Sequence, residues 1–90
     1  MLGLSWLMPT VLPIFKGWRV VIYTNDHLPP HVHVIGGEEH ARFELLCDLA
    51  QVRFLSNIGF GLAQLKQIET YLLKHLAHLC REWGRIHGYY

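Results

Sequence analysis

Asp26, His27, His31 and His33 fall within eight residues of one another, around Pro29 and Pro30. Three chemistries fit such a set. In the first, His31 and His33 share a metal ion. An H-x-H pair on a strand puts both rings on one face, about 7 Å apart at Cα, and Asp26 or His27 supplies a third ligand. Imidazole and carboxylate donors make zinc the expected ion. In the second, no metal is involved, and His31, His33, Arg42 and Glu44 form an acid–base cluster. Imidazole exchanges protons near neutral pH and a guanidinium steadies a phosphate, which is the equipment for RNA cleavage by the 2′-hydroxyl. The third is structural. Asp26 closes a turn, the prolines stiffen the entry to a strand, and the histidines pair across an exposed sheet face or meet a partner protein. The spacing alone does not choose among the three.

The elements that position these residues follow from hydrophobic periodicity. Residues 31–35 and 40–46 alternate in phase and are joined by Gly36-Gly37-Glu38-Glu39, a four-residue hairpin loop. If Ile35 lies opposite His40, His33 faces Arg42 and His31 faces Glu44. Val32, Val34, Ala41, Phe43 and Leu45 then share the other face. Residues 18–24 form a strand with Trp18, Val20 and Ile22 on one side. Residues 10–15 make a short strand that Pro13 confines to an edge. Residues 50–55 form a further strand that buries Val52 and Phe54, and Asn57 and Gly59 end it.

From residue 61 to residue 87 no proline interrupts the chain. Leu65, Ile68, Leu72, Leu76, Leu79, Trp83 and Ile86 recur at helical steps. One continuous helix there would be roughly 40 Å long, more than a sheet of short strands can cover. Either it breaks or its end packs on a partner, and a homodimer through this helix is the simplest closed solution. Gly88 closes the helix. Trp83 belongs to the core or an interface, with its N–H in need of an acceptor. His75, His78 and Glu82 form a secondary candidate metal set on the same helix.

With 90 residues, 51% of them apolar, the chain makes one core. The expected fold is α+β: a small, mostly antiparallel four-stranded sheet carrying a long C-terminal helix. Residues 8–90 form the domain, behind an N-terminal extension over residues 1–7. That extension has neither the basic start nor the length of a signal peptide or a membrane span, and no membrane association is expected. A formal charge of +1 argues against a dedicated nucleic-acid binder. Cys47 and Cys80 lack C-x-x-C spacing and are expected as two buried thiols; a bridge between them is a question for geometry.

Taken together, Met8-Pro9-Thr10, Gly17-Trp18-Arg19, Asn25-Asp26-His27 with Pro29-Pro30-His31-Val32-His33-Val34, Ala41-x-Phe43, Asn57-x-Gly59-Phe60 and Trp83-x-x-Ile86-His87-Gly88 resemble the small bacterial family called domain of unknown function 4160. The resemblance implies a short cytoplasmic protein. It also implies a partner, since many members are encoded beside a second small protein in pairs described as toxin–antitoxin-like. The family supplies no catalytic residues to carry over. The expected role is therefore one component of such a two-gene pair, acting through contacts with its toxin- or antitoxin-like neighbour. The alternative is a small ribonuclease or metal-dependent phosphoesterase that uses the His31/His33/Glu44 face, with RNA as a candidate substrate.

Overall fold

A computed structural model describes the backbone of residues 10–88 and the side chains of residues 16–88. The expected extension over residues 1–7 lies outside the described residues. Five strands form one antiparallel sheet: β1 (Thr10–Phe15), β2 (Trp18–Val21), β3 (His31–Ile35), β4 (His40–Leu46) and β5 (Gln51–Ile58). Their order in space is their order in sequence, and each pairs antiparallel with the next. Two helices follow, α1 (Leu62–Lys74) and α2 (Leu76–His87). The fold is thus the expected α+β, with the edge segment β1 joining as a fifth strand.

The central hairpin has the register that alternation dictates. His31 lies opposite Glu44, His33 opposite Arg42 and Ile35 opposite His40. Gly36 N–H closes the loop on the Glu39 carbonyl at 2.9 Å. Val20, Ile22, Val32, Val34, Ala41, Phe43 and Leu45 therefore project to one face. There they meet Phe60 and the helix residues Ile68, Leu72, Leu76, Leu79 and Trp83. Each such side chain taken from water stabilises the fold by about 1.5–3 kcal/mol before entropy is counted.

The single long helix expected from periodicity is two. The break falls at His75, whose φ of −110° and ψ of 17° leave the helical region. No proline or glycine forces it. His75 N–H is shared between the carbonyls of Tyr71 and Leu72, each at 3.2 Å, and Leu79 N–H restarts the ladder on the His75 carbonyl at 3.0 Å. Packing supplies the reason. The molecule measures 35 × 33 × 19 Å, while an unbroken helix over these residues would be roughly 40 Å long. Bent at His75, both halves keep their apolar face on the sheet, and Ile68, Leu72, Leu76, Leu79 and Trp83 are all buried within one chain. The unburied stripe that argued for a helix-mediated dimer is thereby removed as a reason for one. No described helix is long and apolar enough to cross a membrane.

Two other expectations change. β5 runs to Ile58, and Phe54 is 51% exposed rather than buried. Phe54 pairs with the buried Phe43 on the core face, ring centroids 5.8 Å apart, but on edge strand β5 it stays half exposed; the register slips only beyond it, between Phe43 and Arg42. The strand still ends at Asn57 and Gly59: the Asn57 amide donates to the Phe60 carbonyl at 2.9 Å and accepts from Phe60 N–H at 3.2 Å. Cys47 and Cys80 are not free thiols. They form a disulfide across a Cα–Cα distance of 6.2 Å, which ties the 3-10 turn after β4 to α2.

Candidate metal centre

β2 ends at Val21 and the chain turns back immediately. Asp26 N–H donates to the Tyr23 carbonyl and Tyr23 N–H donates to Asp26 Oδ2, both at 3.1 Å. This pair of bonds fixes the Asp26 carboxylate against the end of the sheet. Residues 27–30 then lead into β3, whose alternation puts His31 and His33 side by side, with ring centroids 5.1 Å apart. Asp26, His31 and His33 each offer one ligand atom, and the three atoms lie within 4.8 Å of one another.

Hydrogen bonding determines which ring nitrogens face inward. His31 Nδ1 is 2.8 Å from the Pro29 carbonyl. A carbonyl only accepts, so Nδ1 carries the hydrogen and donates it. In the neutral ring Nε2 then presents a lone pair, and it points at Asp26 Oδ1 across 3.5 Å. A lone pair facing a carboxylate repels it unless His31 takes a second proton or a cation lies between them. His33 Nε2 faces the same carboxylate, at 3.3 Å from Oδ2 and 3.4 Å from Oδ1. Its Nδ1 is 2.9 Å from His40 Nε2. The three groups converge as metal donors do, and each histidine has an outer partner on its other nitrogen.

The centre is nearly closed. His31 and His33 are each 8% exposed, not the solvent-facing residues expected of an open sheet surface. The Tyr23 ring stands edge-on to His33 at 4.6 Å, and Trp83 lies 5.5 Å from His31. Burial holds the His33 imidazole below the usual histidine range. The charge and hydrogen bond of Asp26 pull it back up, while His31 and His40 push it down. A depressed value keeps imidazole neutral, the form that ligates metal.

The other expected site residues are placed as follows. His27 is exposed and stands outside the trio. Arg42 and Glu44 lie opposite His33 and His31 as expected, but both side chains engage β5. Arg42 Nε donates to Ser56 Oγ at 3.0 Å, and Arg53 Nε donates to Glu44 Oε1 at 2.9 Å. On α2, Glu82 accepts a hydrogen bond from Arg85, and the charge of His78 also acts on it. His40 was missed by sequence reasoning. Its signal was the diagonal of the hairpin: a residue opposite Ile35 sits one place from His33 on the same face.

A family model, Domain of unknown function (DUF4160), matches residues 17–84. That span contains Asp26, His31, His33 and His40. No curated protein and no solved structure matches the chain.

Proposed function

The chain belongs to the DUF4160 family, and from that premise we propose that it binds a divalent metal ion through Asp26, His31 Nε2 and His33 Nε2. Donor chemistry favours zinc. One observation carries the reading: one ligand atom each of Asp26, His31 and His33 lies within 4.8 Å of the others, with the Pro29 carbonyl holding the His31 proton on Nδ1, so that in the neutral ring Nε2 meets the Asp26 carboxylate with a lone pair. A bound cation turns that repulsion into two coordinate bonds. His33 then donates Nδ1–H to His40 and offers Nε2 inward. Three protein ligands leave a position for water, whose proton a zinc ion makes acidic near neutral pH. Metal-dependent phosphoester hydrolysis is the reaction class this supports, in preference to metal-free cleavage by His31, His33, Arg42 and Glu44.

The test is zinc titration of the metal-free full chain by calorimetry, together with zinc-dependent hydrolysis of bis(p-nitrophenyl) phosphate. One site per chain is expected, lost in His31→Ala, His33→Ala and Asp26→Asn and retained in His27→Ala. Equal binding in all four variants would overturn the metal site. Tight zinc binding with no hydrolysis would overturn the phosphoesterase assignment.

A second reading is supported by surface. Ile58 and Leu62 are 67% and 74% exposed at the end of β5 and the start of α1. This is apolar area suited to a protein partner. We propose on this basis, and on the family resemblance, a bacterial cytoplasmic protein that pairs with its small genomic neighbour in a toxin–antitoxin-like unit. Co-purification of the two, with growth assays of each alone, tests it. Failure to associate at micromolar concentration would remove it.

A further inference from the structure

The disulfide joins two segments that frame a cavity. Cys47 and Cys80 both line an apolar hollow of about 580 Å³, with Leu45, Asp48 and Trp83 also in its wall. That volume lies in the range that admits small molecules. Cys47 itself is exposed and Cys80 is half-buried, so the bridge meets the access condition for thiol–disulfide exchange.

The same bridge is mechanically linked to the histidines. Trp83 follows Cys80 by three residues on one face of α2. Its ring lies against His31 and stacks on His87 with centroids 4.0 Å apart. His87 Nε2 donates to the Tyr23 carbonyl at 3.0 Å, and Tyr23 N–H holds Asp26. Trp83 Nε1 is buried and has no hydrogen-bond partner. No polar bond of that indole therefore holds it in place, and its position depends on where α2 is held. The disulfide is the only covalent tie between α2 and the sheet among the described residues.

We propose that Cys47–Cys80 is a thiol-exchange site, opened by small thiols that enter this cavity, and that its opening loosens the Trp83 wall behind Asp26, His31 and His33. A thiolate attacks Cys47 Sγ. The S–S bond breaks, and its electron pair leaves on Cys80 Sγ, which takes a proton. A second thiolate attacks the outer sulfur of the mixed disulfide, releasing Cys47 Sγ, which is protonated in turn. Two small thiols become one disulfide, and the protein bridge gains two electrons. In a reducing compartment such a bridge is transient and senses redox state rather than serving as a permanent staple. The effect on metal affinity rests on the metal reading; the exchange and the movement of Trp83 do not.

The test uses the full chain in native buffer with dithiothreitol. Alkylation and mass spectrometry count thiols, circular dichroism follows helicity, and NMR follows the Trp83 indole and the His31 and His87 rings. The bridge is expected to open with helicity retained and those resonances shifted. Tm should fall by roughly 10 °C or more. In the Cys47→Ser, Cys80→Ser double variant, free of reductant, zinc affinity should fall roughly tenfold. A bridge that opens only in denaturant would overturn the exchange site. Opening with unchanged Trp83 and His31 resonances would overturn the coupling. If the oxidised chain binds no zinc, the metal reading fails while thiol counts and ring resonances still decide the proposal.

Discussion

Pro29 accepts the Nδ1–H of His31 at 2.8 Å, and this one bond decides which way the ring presents its lone pair. The contact joins two residues only two apart. It is made by backbone on one side, so no side-chain substitution at position 29 deletes the acceptor itself. The ring is the part that can be removed. His31→Ala should abolish zinc binding and also destabilise the metal-free protein by about 1–3 kcal/mol, because a buried, hydrogen-bonded ring against Trp83 is lost. Chemical denaturation without metal checks the second figure. A cost below about 0.5 kcal/mol would mean that the ring is exposed in solution.

His40 bonds His33 and lies outside the Asp26, His31, His33 group. His40→Ala should leave the fold intact and weaken zinc binding by about 10–100-fold, the usual effect of removing a partner that orients a ligand. His40→Gln, which still offers an acceptor, should recover part of it. Identical affinities for wild type and His40→Ala would show that His33 is oriented by other means.

Glu44 distinguishes the metal reading from the metal-free one. Its buried carboxylate is committed to Arg53, whose own side chain is 64% exposed. Glu44→Gln should leave zinc binding and phosphoester hydrolysis unchanged within twofold. A loss of turnover at constant metal affinity would return Glu44 to the chemistry.

The pH dependence of stability has a definite sign. Folding lowers the His33 proton affinity below its ordinary value of 6.5. Between the folded and unfolded values the unfolded chain binds more protons, so stability rises with pH there. The contribution is complete above the unfolded value and is lost as acid carries the pH down toward the folded one. Metal-free protein should melt at lower temperature below about pH 6.5, and His33→Gln should flatten that slope. A Tm that rises on acidification through this window would contradict the burial of His33.

The apolar surface of β5 and α1 makes a separate prediction. Ile58→Lys with Leu62→Lys should abolish association with a partner protein while shifting Tm by only a few degrees, because both positions are exposed. Analytical ultracentrifugation with the genomic neighbour reads the first, and a thermal melt reads the second.

The central hairpin was legible because Val32, Val34, Ala41, Phe43 and Leu45 alternate in phase with His31, His33, Arg42 and Glu44, and one register satisfies both strands. Asp26 could be placed near the histidines because the intervening loop is short. What lay beyond reach depended on parts of the chain distant in sequence. The burial of His31 and His33 comes from Tyr23 and from Trp83, which arrives from the last helix. The break at His75 has no local signal, since packing of Leu79 and Trp83 imposes it. The Cys47–Cys80 bridge is set by the approach of two elements 33 residues apart. Phe54 keeps the face that alternation predicts, opposite the buried Phe43, but lies on edge strand β5, where it stays half exposed.

The order of strands in the sheet is the order of strands in the chain. Every sheet contact can therefore form by closing a short loop onto a strand already in place, at little entropic cost. Asp26, His31 and His33 belong to one such closure, the step that lays β3 against β2. An ion captured by these three residues would act as a local clasp on a growing edge rather than as a rivet through a finished core. The helices, with Trp83 and Cys80, come from farther along the chain and cover that clasp. The donor set would then be assembled by a local closure of nine residues between β2 and β3, and its enclosure by contacts with α2, far along the chain.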